Sequence, residues 1–331
     1  MAKLIIHFFF FHVLCSRVLW AKSPELDLLY AQNHQATPLT YNPSFEEYVD
    51  DGYQFLTKKV YLLSNTVDSI FTQRSIDDSK NLSYLRFWYE FNKTEGEDFF
   101  MRPDFRLRLY LKETRKLLRI TFENTSRTQD TQSQLNQTQA ANETKNSEKS
   151  LAASVGVKLK ETDNLRFTTS AGIRLRIPPN LFLRNNFSYT HDFFGWDFSF
   201  QNSFFYYSLD GFGNTTNVNF LYKFSELTRG IFETFGTWLE PRDYNAGSGF
   251  QLIHAYSDLT TLSAQIGVNG DKSDRLLAVR NYFVSMNMRR LLYKKWFFME
   301  ISPIYSWKRE NDWKGAASIY FKFEAFLGGN Q

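Results

Sequence analysis

The stretch Phe105-Arg106-Leu107-Arg108-Leu109-Tyr110-Leu111-Lys112 alternates apolar side chains with charged or polar ones at every second position. Successive side chains of an extended chain point to opposite faces, so this spacing builds a strand with one apolar and one charged face. The beat returns at Leu165, Phe167, Thr169, Ala171, Ile173, Leu175 and Ile177, set against Arg166, Thr168, Ser170, Gly172, Arg174 and Arg176. Strands of soluble sandwiches average about 5 to 6 residues. Runs of roughly 10 to 13 match strands that cross a bilayer with their apolar side outward. An aromatic content of 18% suits the interfacial girdles of such barrels. The sequence therefore predicts an all-β protein, a closed antiparallel transmembrane β-barrel over residues 81–331.

Working outward, about fourteen strands fit between Leu82 and Leu327 at the barrel period of roughly 10 residues. With both ends of the barrel on one side of the membrane the number must be even. Compact connections such as Glu113–Lys116, Glu161–Asn164 and Ser257–Leu259 are placed on the periplasmic side. Longer ones at Glu240–Gly247, Gly270–Arg275 and around Asp210 are placed outside. The short turn Pro178-Pro179-Asn180 is the exception to this scheme, and if it is periplasmic the number becomes twelve. Trp196 and Trp296 fall near one rim, and Trp238, Tyr244, Trp307 and Trp313 near the other.

The first 80 residues follow other rules. Lys3 precedes an apolar run from Leu4 to Leu14, and Leu19-Trp20-Ala21 offers a cleavage site, which reads as an export signal over residues 1–21. In segment 22–80, a periplasmic or plug segment, Ser44 and Glu47 form a capping box. Val49, Tyr53, Leu56, Val60, Leu63, Val67 and Ile70 then recur at spacings of four and three, giving an amphipathic helix over 44–72. That seam suits either packing on the barrel or a short coiled coil with a periplasmic partner. The Thr-, Gln-, Asn- and Ser-rich segment 125–150 lacks the apolar surface to order itself and is expected to be a disordered outer loop.

The run Gly172–Asn180 (GIRLRIPPN), the segment Tyr207–Thr216 with Asp210-Gly211-Phe212-Gly213-Asn214-Thr215, and the acidic helix before them resemble an uncharacterised family of predicted proteobacterial outer-membrane β-barrel proteins. The resemblance implies a barrel in the bacterial outer membrane, in contact with outer-membrane lipid and lipopolysaccharide. It brings no catalytic residue, ligand or cofactor.

No window beyond the signal has the 18 or more apolar residues of a membrane-crossing helix, and mean hydropathy is −0.42. A formal charge of +4 does not suggest nucleic acid. Cys15, inside the signal, is the only cysteine, so no metal site of cysteine type is expected. His34, His191 and His254 have no serine at the spacing that would put both on one strand face, and enzyme function is not expected. If Phe105 faces lipid, then Arg106, Arg108, Lys112, Arg119, Lys158, Lys160, Arg166, Arg174, Arg176 and Arg184 face the interior, with Glu123 the clearest acid among them. Such a wall favours anions. It points to a passive channel or solute transporter. The alternatives are a non-conducting structural or binding barrel and a lipid-active hydrolase. Glu46, Glu47, Asp50 and Asp51 are the candidates for an acidic plug docked among Arg106, Arg108, Arg174 and Arg176.

Overall fold

The computed structural model describes residues 45–71, 82–111, 118–125, 150–240, 243–273 and 276–329. The expected signal (1–21), the capping Ser44, Lys112 and most of segment 125–150 lie outside the described residues. The chain divides into two compact units, 1–58 and 59–331, with the boundary inside a helix, α1 (Phe45–Phe71). In the first unit, the acids Glu46 and Glu47 occupy the first turn of α1, where the exposed N–H groups favour negative charge.

The second unit holds the rest of α1 and fourteen strands: β1 (Tyr84–Thr94), β2 (Phe100–Leu111), β3 (Leu118–Thr125), β4 (Ser150–Glu161), β5 (Leu165–Leu175), β6 (Asn180–Phe193), β7 (Trp196–Tyr207), β8 (Gly211–Lys223), β9 (Thr228–Leu239), β10 (Asp243–Ser257), β11 (Thr260–Ser273), β12 (Leu276–Tyr293), β13 (Phe297–Lys308) and β14 (Gly315–Gly328). Each pairs antiparallel with its sequence neighbours, and β1 pairs with β14 from Tyr84↔Gly328 to Thr94↔Ser318, closing the ring. Closure leaves no sheet edge, so every strand finds backbone partners on both sides.

Fourteen strands place Pro178-Pro179-Asn180, between β5 and β6, at the end of the barrel away from the start of β1, and the twelve-strand alternative falls. The long outer connections expected at Glu240–Gly247 and Gly270–Arg275 are corrected. β10 already begins at Asp243 and β11 runs on to Ser273. Asn245, Gly247 and Gly270 read as turn residues, but the ladder uses their backbones as Asn245↔Thr237, Gly247↔Asn269 and Gly270↔Val279. A two-residue hairpin joins β6 to β7 through Phe194 and Gly195, at φ +50° and +81°. That left-handed pair matches the twist of the strands it joins.

A three-step relay ties the second half of α1 to the start of β1 and the end of β2. The Tyr110 N–H donates to Ser83 Oγ (2.9 Å), Ser83 Oγ to Ser64 Oγ (2.8 Å), and Ser64 Oγ to the Tyr110 carbonyl (3.3 Å). Both serines are fully buried. The helical stripe accordingly passes through Val60 and Ser64, and Leu63 stands 44% exposed.

Candidate functional site: the interior wall

Register partners share a face, so the strand pairings trace two continuous surfaces around the ring. One carries Phe204, Phe232, Phe250, Ile266, Val284 and Met286, all 40 to 66% exposed. The other carries buried polar groups such as Asp104, Arg174, Asn180, Thr215, Asn217 and Glu324. The polar face is the inside. An even, closed, antiparallel sheet that is apolar without and charged within is the construction of a transmembrane β-barrel.

The predicted basic residues gather on β2 to β6. Three adjacent register lines run Arg86↔Arg106↔Glu123↔Ala152↔Arg174, then Tyr84↔Arg108↔Thr121↔Ser154↔Gly172, then Tyr110↔Arg119↔Gly156↔Ser170↔Arg184. Arg106 pairs with Glu123. Arg174 and Arg184 both donate to the hydroxyl of the buried Tyr207, at 2.8 and 2.7 Å, and Arg174 also lies 4.2 Å from the centre of that ring. Arg108 sits 5.9 Å from the ring centre of Tyr84. Arg119 lies along the wall over Gly156, where a Cβ would stand 3.6 Å from its Nη2. Arg176, just past β5, reaches Asp210 at 3.0 Å, and Asn180 Nδ2 donates to the same carboxylate at 2.8 Å. Lys158 and Arg166 share Glu161.

Lys160 is a correction. A bulge between Lys158 and Lys160 places it opposite Phe167, on the outer face, because the extra residue switches the alternation. Glu46, Glu47, Asp50 and Asp51 lie on the opening turns of α1, in the first unit. Within the barrel, Arg106, Arg174 and Arg176 already hold Glu123, Tyr207 and Asp210.

The alternation of β2 and β5 did not reveal a second charged array at the seam. Arg86 and Arg289 both bind Glu324, the latter at 2.8 Å; Arg289 also binds Glu300, and Lys322 binds Glu300 at 2.6 Å. Two carboxylates, from β13 and β14, thus hold three cations drawn from β1, β12 and β14. Beside them Glu90 accepts from Arg102 (2.6 Å) and from Trp88 Nε1 (2.9 Å). The single inward acid on each of β13 and β14, Glu300 and Glu324, was the available signal. Their partners become visible only once β1 and β14 are known to meet.

Two apolar clusters also occupy the interior. Phe235, Phe283 and Ile304 pack with Tyr320, and Ala152, Phe182, Phe205, Tyr207 and Leu239 form the other. Phe235 is on β9, Phe283 on β12 and Ile304 on β13, so the cluster projects from an arc of five neighbouring strands into the interior and narrows it there. The wall of β7 to β12 is rich in amides, with Asn219 donating to Ser199 (3.2 Å), Gln251 to Ser263 (3.2 Å), and Asn269 opposite Asn281, and it also carries the buried Glu233. The two described histidines lie on the outer face. His254 Nδ1 hydrogen-bonds Thr228 at 2.9 Å, and His191 stacks on Tyr189.

No family model matches the chain, and no curated protein matches it. Among solved structures it is similar to the low-pH structure of Pseudomonas putida OprB, at 10% identity and a TM-score of 0.46 over 74% of this chain and 91% of that one. It is also similar to a loop-deletion mutant of OmpT, an outer membrane protein of Vibrio cholerae (9%, 0.43, 74% and 98%), and to the CymD monoaromatic hydrocarbon channel (9%, 0.45, 80% and 91%). At such identities no solute carries over to this chain.

Proposed function

We propose that the protein is a channel of the bacterial outer membrane that passes small anionic solutes. The observation that carries this reading is the arginine-rich wall of β2 to β6, where no carboxylate of the described residues lies within ion-pairing distance of Arg108 or Arg119. Uncompensated guanidiniums in a confined, low-dielectric passage raise the local concentration of anions and oppose cations. The apolar exterior supports insertion in a bilayer, and the interior clusters around Phe235 and Phe283 support a narrow passage. A non-conducting binding barrel is the rival reading. The refolded protein in a planar bilayer under a potassium chloride gradient is expected to show discrete conductance steps with a reversal potential of anion sign. A reversal potential of cation sign, or no conductance, sinks the reading.

A further inference from the structure

Five interior side chains on four adjacent strands form a block with a chemistry of its own: Arg108 (β2), Arg119 and Thr121 (β3), Ser154 (β4) and Ser170 (β5). The register aligns Arg108, Thr121 and Ser154 on one line and Arg119, Gly156 and Ser170 on the next, so the guanidiniums and hydroxyls fall on neighbouring interior positions. The residues between them are small. Gly156 has no side chain, and Arg119 occupies the space over it, which holds the guanidinium along the wall.

Arg106, one register line away, meets Glu123. Arg108 instead faces the ring of Tyr84 and Arg119 hydrogen-bonds the side chain of Tyr110 opposite it, and the Nε of each is buried with no acceptor. Thr121 is buried, whereas Ser154 and Ser170 remain half-exposed toward the interior. Two guanidiniums and two accessible hydroxyls present donors for the several acceptor oxygens of one tetrahedral or planar oxyanion, and guanidinium forks fit such groups in pairs. Arg184, at the end of the second line, adds positive charge while its own Nη2 is held by Tyr207.

We propose that this block is a binding site for an oxyanion group, a carboxylate or phosphate carried by the passing solute. It deepens the channel reading, on which it rests for the route by which solute reaches the wall. The test uses the full refolded chain in detergent, titrated calorimetrically with inorganic phosphate in one arm and gluconate in the other, with chloride as the supporting anion. Saturable binding in either arm is expected, and the stronger arm identifies the group. Binding should weaken at least tenfold in R108Q/R119Q, about threefold in S154A/S170A, and not at all in K160Q, whose site is on the outer face. R108K/R119K guards against a folding defect: it keeps the charge and should bind more tightly than the glutamine pair. Absence of binding in both arms, or equal binding by wild type and R108Q/R119Q, overturns the site. Conductance without binding sinks the site and leaves the channel; binding without conductance does the reverse.

Discussion

Arg86, Arg289 and Lys322 at the seam and Arg108, Arg119, Arg174 and Arg184 on β2 to β6 line the same interior, but their neighbours differ. The seam cations share Glu300 and Glu324, and Glu324 is fully buried. On the other wall the neighbours include Tyr84, Tyr110, Thr121, Ser154, Ser170 and Tyr207. A buried cation matched by carboxylates becomes a strut, because removing either partner leaves an uncompensated charge in low dielectric. A cation matched by hydroxyls and ring faces keeps most of its field for whatever enters the interior. Arginine content alone does not separate the two; the side chain at the facing register position does.

The largest effect should come from the seam. Glu324→Ala removes the carboxylate shared by Arg86 and Arg289, and should cost about 3 to 5 kcal/mol, read as a lower urea midpoint in detergent. A loss below about 1 kcal/mol would erase the distinction between the walls. Phe283→Ala, in the apolar cluster that projects into the interior, is expected to cost about 3 kcal/mol and to raise single-channel conductance; unchanged conductance would show that the cluster does not limit passage. Tyr207→Phe takes away the acceptor of two charge-assisted bonds and should cost about 2 kcal/mol. Because it removes one partner from each of Arg174 and Arg184, anion preference should rise rather than fall. Smallest of all, Lys160→Gln should leave stability within about 0.5 kcal/mol and ion selectivity unchanged. A measurable drop in selectivity would return Lys160 to the interior.

Strand positions were legible because alternation is a local property. Phe105 to Leu111 and Leu165 to Leu175 carry their face assignment residue by residue, and the ring of fourteen follows their period. Lys160 escaped because a single extra residue reverses the beat without changing composition. Phe235, Phe283 and Ile304 escaped for another reason: alternation equates apolar with outward, and these three point inward and satisfy one another. Arg86 and Glu324 are 238 positions apart, so nothing near either residue announces the partner. The wall of β2 to β6 was readable as a row of arginines. Its division into engaged and unengaged members depends on Glu123, Asp210 and Tyr207, which only the register brings into place.

The seam array has a consequence for the order of assembly. Arg86 stands on the first strand and Glu324 on the last, while Arg289 and Glu300 arrive on β12 and β13. Until β14 docks against β1, the guanidinium of Arg86 has no Glu324 and must remain hydrated, so the ring resists drying out while it is open. Docking the last strand delivers the backbone ladder from Tyr84↔Gly328 to Thr94↔Ser318 and the missing countercharge in one step. An incomplete ring is thereby held apart from a finished one by two penalties at once, an unpaired edge and an uncompensated cation, and the final hairpin acts as a clasp that engages only when all of its predecessors are in position.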